Sequence, residues 1–186
     1  IILLWLSGLN LFDAMIHAFG AAGTGGFSNK ALSVAHFNNP AVEYILSIAM
    51  LLFGVNFNLY YFLLNKQIKT IFKNEELRLY LGFVLISLVL IMINISTNYN
   101  QVEPLFRDSL FTVTTIVSTT GYATADFDQW PLFSKLIIML LMFTGSMAGS
   151  TAGGIKISRI LVYLKTIKRE IKLAIQPRRV FPLTID

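Results

Sequence analysis

The sequence contains no cysteine, which excludes a disulfide framework and any thiolate metal site. Charge is scarce: 13% of its 186 residues are Asp, Glu, Lys or Arg, against about 25% in soluble domains. With 55% hydrophobic residues, that balance excludes a water-soluble fold and points to a membrane protein. Two histidines, His17 and His36, stand apart without a carboxylate cluster, so they make no metal site. There is no Ser/His/Asp set and no cofactor fingerprint, so no enzyme is read and no bound cofactor is expected. No initiator Met, basic n-region or small-residue cleavage site accompanies the apolar run Ile1–Leu6. A signal peptide is therefore not read, and an opening inside an apolar segment is expected of a piece of a larger protein.

What is present is apolar length. Ile45–Leu64 is twenty residues without a charge, and at 1.5 Å per residue it reaches about 30 Å, the thickness of a bilayer core. Leu79–Ile95 is a second such run, and a third starts near Pro131, meets "AGSTAGGIK" and continues as "ISRILVYLKTIKREI". Two shorter apolar stretches, Leu11–Ala22 with Asp13 near its start and Leu110–Ser118 just after Asp108, each end in a Thr/Gly cluster. About 12 helical residues cover roughly 18 Å, so these enter the membrane and return as loops.

The chain repeats itself. Asp13 and Asp108, Gly26 and Gly121, Phe27 and Tyr122, and Gly54 and Gly149 are each 95 residues apart. "DAMIHAFGAAGTGGFS" and "DSLFTVTTIVSTTGYA" share one pattern: short helix, then Thr-x-Gly-aromatic-small. The fold class expected is all-α: a polytopic membrane protein with two helix–pore-helix/filter-loop–helix repeats. Residues 1–78 make the first unit, with the end of a first helix at 1–9, a pore helix and loop at 11–30, a spanning helix at 41–66 and a connection at 67–78. Residues 79–175 make the second, with a spanning helix at 79–96, a pore helix and loop at 107–128, and a broken spanning helix at 131–170 interrupted at 145–155. Residues 176–186 form a tail. Of the 15 Lys and Arg, 12 lie between the first two spans or after the glycine cluster. The positive-inside rule makes those regions cytoplasmic and both Thr-Gly loops external, and it removes the need for a nucleic-acid partner.

The stretches "FDAMIHAFGAAGTGGFSNKA", "FGVNFNLYYFLL", "TTIVSTTGYATADFDQWP" and "GSMAGSTAGGIKISRIL" resemble, in order, the membrane subunit of the Trk/Ktr/HKT superfamily of potassium transporters. The resemblance implies four such units around one pore, of which this chain looks like the second and third. It implies potassium as substrate and a cell-membrane location. The partners it implies are the remaining units of the same polypeptide or a second copy, a homodimer, and a cytosolic nucleotide-binding regulatory subunit.

A dehydrated cation must recover the oxygens it loses on leaving water, a matter of tens of kcal/mol, and rings of backbone carbonyls do this in potassium filters. The carbonyls expected to serve are those of Thr24, Gly25, Gly26 and Phe27 in one loop and of Thr119, Thr120, Gly121 and Tyr122 in the other. Gly26 and Gly121 are the positions expected to reject a side chain, with Phe27 and Tyr122 packing behind the loops. Ser28 and Ala123 stand where a second glycine of the potassium-channel signature would be, which points to weaker discrimination against sodium. The half-helix C-termini favour cations through their dipoles, and Asp126 and Asp128 are expected at the outer mouth.

"GSMAGSTAGGIK" admits two readings. Gly145, Gly149 and Gly153 form overlapping GxxxG patterns suited to close helix packing. An unwound segment below the filter, which in the resembling family is a movable gate, would comprise Gly149, Ser150, Thr151, Ala152, Gly153 and Gly154 with Lys156 at its cytoplasmic end. A phosphate-binding loop fails, because Ile155 separates Gly154 from Lys156 and Ile157 replaces the magnesium-binding hydroxyl. Asn56 and Asn58 are expected inside a spanning helix as interhelical glue, and Trp5, Trp130 and Tyr99 at the membrane interface. Two other functions remain open: a non-transporting assembly fragment, and a sodium-coupled carrier with re-entrant loops.

Overall fold

The computed structural model describes residues 1–176, and among them every regular element is helical. Nine α-helices run in chain order: α1 Ile2–Leu6, α2 Leu11–Ala22, α3 Pro40–Phe53, α4 Phe57–Leu64, α5 Ile68–Lys73, α6 Glu75–Ile95, α7 Val102–Val117, α8 Leu132–Thr144 and α9 Ile157–Ile175. Local chemistry sets their starts. Asn10 Oδ1 accepts from Asp13 N at 2.7 Å while its Nδ2 donates to the Asp13 carboxylate at 3.0 Å, a reciprocal cap for α2. Asn39 caps α3 ahead of Pro40. Asn74 caps α6, whose first turn carries Glu75 and Glu76. The tail residues 177–186 lie outside the described part.

Helix α6, continued to Asn98, is long and apolar enough to cross a membrane. The run Ile45–Leu64, expected as one helix over 41–66, is instead α3 and α4 meeting at 92°. The reason is tertiary. Gly54 O accepts Met147 N at 3.2 Å and Phe57 N donates to Gly149 O at 3.1 Å, so a segment from the second unit takes the backbone groups that would have continued α3. A Cβ on Gly54 would lie 2.5 Å from Tyr80 Oη, a crowding only glycine allows. Asn56 is accordingly not inside a helix but at the break: its Oδ1 caps α4 by accepting Asn58 N at 2.9 Å, a contact of about 1 kcal/mol, and Asn58 follows in the first turn.

The second pore helix starts at Val102, a turn ahead of Arg107. The broken third span is α8, a non-helical 145–156, and α9 carried on to Ile175 rather than ending at 170. Trp130 is 6% exposed and packs in the core, while Trp5 is exposed.

Helix α7 holds the two halves together. Every residue from Phe111 to Val117 is buried, with Phe111 in one apolar cluster (Leu4, Val42, Leu46, Met50) and Val113 and Val117 in the other (Tyr80, Ile91, Ile138, Leu141). At its outer end Arg107 Nε lies 2.9 Å from Glu43 Oε2 of α3 and Nη1 lies 3.1 Å from Glu103 Oε1. Its repeat counterpart α2 is only half enclosed, leaving Leu11, Phe12 and Phe19 exposed.

Candidate functional site

The two Thr-Gly loops leave their pore helices by the same hydrogen bonds, displaced by the repeat. Gly23 N donates to Phe19 O and Ser118 N to Thr114 O; Thr24 N to Ala21 O and Thr119 N to Ile116 O; Gly25 N to Gly20 O and Thr120 N to Thr115 O. The backbone conformations match as well. Thr24 (φ 50°) and Thr119 (φ 56°) are left-handed, as are Gly26 (φ 66°) and Gly121 (φ 85°), while Gly25 and Thr120 between them are not. Alternation of this kind turns successive peptide groups toward one side. A β-branched residue in the left-handed region costs about 1–3 kcal/mol and survives only where the surroundings impose it.

The loops abut. A Cβ on Gly26 would sit 1.8 Å from Thr120 O, so backbone meets backbone and both strain and space demand glycine there. At Gly121 only φ demands it, because the same construction meets nothing within 4 Å.

The two aromatics differ. Tyr122 is buried behind its loop, and its hydroxyl donates to His17 O of α2 at 3.1 Å. Phe27 is 83% exposed and does not pack behind its own loop as expected. The slot Tyr122 fills is on the other unit's pore helix, over Gly20, and the described chain offers Phe27 no equivalent. A Cβ on Gly20 would lie 2.1 Å from Tyr122 Oη. Gly20→Ala should therefore destabilise by about 1–3 kcal/mol. Tyr122→Phe, which removes the clashing oxygen, should recover most of that loss in the double variant, as read by thermal unfolding.

His17 braces the first loop. Its Nδ1 is 2.8 Å from Asp13 O, so Nδ1 carries the proton, and Nε2 accepts from Ser28 Oγ at 2.9 Å. Asp13 holds the loop's far side, accepting from Asn29 at 2.6 Å and pairing with Lys30 at 3.2 Å. Hydrogen bonding from Asn29 and the charge of Lys30 hold the Asp13 carboxyl below its usual range against the opposing effect of burial. At the mouth Asp126 is engaged locally, accepting from Asp128 N and Gln129 Nε2.

Beside the two Thr-Gly loops lies the segment 145–156. It is not helical, so Gly145, Gly149 and Gly153 share no helix face and the GxxxG packing reading fails. Left-handed Gly145, Gly149, Gly154 and Lys156 fold it back on itself. Its neck is closed by Ile155 N to Phe143 O, Lys156 N to Thr144 O and Ile157 N to Ser146 O, at 3.0–3.1 Å. A Cβ on Gly145 would meet Gly153 O at 2.3 Å. Lys156 Nζ donates to Ala152 O within the loop. Ser150 Oγ bonds Met147 O, and Thr24 and Thr119 reach the loop from above at Thr151 O and Gly153 N. The candidate gate residues Gly149–Gly154 thus stand directly beside the candidate filter residues.

One anchor was not legible in the sequence. Glu76 of α6, 8% exposed, accepts with a single oxygen from Ala148 N at 2.7 Å and from Ser158 N at 3.0 Å. It joins the loop's beginning to the start of α9. In sequence it reads as a charged flank of a span, and its separation from its partners conceals the role. Glu76→Ala leaves two amides without their acceptor, a loss of about 1–3 kcal/mol each, whereas Glu76→Gln keeps an acceptor oxygen; thermal unfolding should rank alanine well below glutamine.

Residues 3–186 match the family described as TrkH, cation transport protein. The Trk system potassium uptake protein TrkH of Escherichia coli (strain K12) is 31% identical over 185 residues, covering 98% of this chain and 38% of that protein. The Trk system potassium uptake protein TrkG of the same strain is 33% identical over 185 residues, covering 97% of this chain and 38% of that protein. The crystal structure of the potassium transporter TrkH from Vibrio parahaemolyticus superposes with a TM-score of 0.89 at 29% identity, over 99% of this chain and 40% of that one. The chain thus spans about two fifths of the length of these relatives.

Proposed function

This chain belongs to the TrkH family of cation transport proteins, and on that premise we propose that it supplies two quadrants of a potassium-conducting pore in a cell membrane. The observation that carries the reading is the doubled loop: the same three hydrogen bonds and the same left-handed Thr and Gly recur at Thr24/Thr119 and Gly26/Gly121. Carbonyls of Thr24–Phe27 and Thr119–Tyr122 replace the water of a potassium ion, which is the substrate. The half-helices α2 and α7 end beside them and add the negative ends of their dipoles. The loop Gly149–Gly154 is the gate, with Lys156 closing it from the cytoplasmic side.

Two quadrants form an arc with two free ends. Tyr122 rests on the preceding unit's pore helix and Gly26 faces the following unit's Thr120 carbonyl. By the same rule exposed Phe27 awaits a preceding unit, and the open space at Gly121 awaits the carbonyl of a following one. Those units come from the same polypeptide or a second copy. We place the loops outside and the basic segments, including α9 with Arg159, Lys168 and Arg169, at the cytoplasmic side. The proposed assembly is a homodimer, with a cytosolic nucleotide-binding subunit bound to that face.

The test is rubidium or potassium uptake by the native-length protein in cells lacking other uptake routes. Passive, saturable uptake that needs no co-substrate supports the pore. Strict dependence on a sodium gradient would instead identify a coupled carrier, and no uptake at full membrane expression would identify an assembly element.

A further inference from the structure

The two left-handed threonines do something a carbonyl filter does not require: both side chains hold the glycine-rich loop. Thr119 Oγ1 accepts from Gly153 N at 2.7 Å. Thr24 Oγ1 lies 3.1 Å from Thr151 O and shares its proton between that carbonyl and Gly23 O at 2.8 Å. One threonine comes from each repeat, and they reach the same three residues of the loop, 151–153.

The loop's other anchors lie elsewhere. Its base is tied to α6 through Glu76 at Ala148 and Ser158, and to the α3–α4 break through Met147 N to Gly54 O and Phe57 N to Gly149 O. Left-handed Gly149 and Gly154 separate this base from the tip. The tip's short hydrogen bonds outside its own segment run to Thr24 and Thr119, with the Thr151 hydroxyl a longer 3.5 Å from Phe53 O. A tip attached by side-chain hydroxyls, between two glycine hinges, on a fixed base, is built to let go.

We propose that Thr24 and Thr119 form a two-point latch that holds the tip of the glycine-rich loop shut against the underside of the filter. Release of these two hydrogen bonds, rather than of the Glu76 anchor, is the step that opens the path, and it leaves both hydroxyls facing the vacated space. The proposal rests on the gate reading and assigns positioning roles to the threonine side chains, separate from the carbonyls of the same residues. Left-handed φ at two β-branched residues fits this: glycine would be easier for the backbone, but glycine has no hydroxyl.

Valine keeps the branch and removes the hydroxyl; serine keeps the hydroxyl and removes the branch. Rubidium uptake is measured for Thr119→Ser and Thr119→Val in the native-length protein, each with the loop intact and with Ser150–Gly154 deleted, and normalised to protein in the membrane. With the loop intact, valine should exceed serine about fivefold, the equilibrium factor of one net hydrogen bond. With the tip deleted the two should be equal. A valine–serine difference that persists without the tip places the hydroxyl's action in the filter and overturns the latch alone, as does equal uptake with the loop intact. Deletion that leaves the wild-type rate unchanged overturns the gate reading and the latch together. Should Thr119→Val not reach the membrane, the same cycle on Thr24 decides. A second readout is thiol labelling of Ala152→Cys in a cysteine-free background: Ala152 is 3% exposed, so faster labelling in the valine variant supports release of the tip, and unchanged labelling opposes it.

Discussion

Replacing Gly26 by alanine is expected to abolish potassium uptake. The new methyl would stand 1.8 Å from Thr120 O and 2.9 Å from the carbon of that carbonyl, well inside any contact distance, and neither partner is a flexible side-chain end. Backbone φ at +66° adds strain for any L-residue. Relief requires the two loops to separate, which moves the Thr120 carbonyl away from the proposed ion path. Gly82, in the middle of α6, provides the control: a Cβ there meets nothing within 4 Å. Gly82→Ala should transport normally and gain up to about 1 kcal/mol from helix propensity. Within the described chain a methyl at Gly121 is unopposed but φ is +85°, so Gly121→Ala should lose uptake through backbone strain alone and less completely than Gly26→Ala. Uptake assays with membrane-level controls read all three.

Deleting Ser150–Gly154 is expected to raise potassium flux without abolishing selectivity. The deletion removes the tip that Thr24 and Thr119 hold, together with the Ala152 carbonyl that Lys156 binds. It leaves the filter loops' own hydrogen bonds to α2 and α7, which do not involve the tip. An unchanged rate in well-expressed protein would mean that the segment does not limit passage. A raised rate with lost potassium preference would mean that the tip supports the filter's shape rather than gating it.

How much of this was legible beforehand follows from what each feature depends on. The repeat was legible because its marks are backbone requirements: Gly26 and Gly121 are left-handed, and the Thr before each sits at a conformational extreme that recurs with it. The break in the third span was legible because glycine clusters and lysine interrupt an apolar run. The break between α3 and α4 was not, because residues on both sides are apolar and the bend is imposed by Met147 and Gly149 from the other unit. Gly54 standing at the repeat position of Gly149 was the available sign. Phe27 and Tyr122 are equivalent in sequence and opposite in burial; the difference lies in what neighbours each, which no local pattern records. Glu76 failed to announce itself for a related reason. Acidic residues in a first turn are usual for helix dipoles, and its partners are Ala148 and Ser158, far along the chain.

In the proposed pore the carbonyls of the two Thr-Gly loops face one ion path. The most direct test is a crystal structure of the native-length protein in rubidium or thallium, read by anomalous scattering. Peaks are expected on a line bounded by the carbonyl oxygens of Thr24–Phe27 and Thr119–Tyr122, above the segment 149–154. Absence of peaks there, or a peak held instead by carboxylates such as Asp126 and Asp128, would contradict that arrangement.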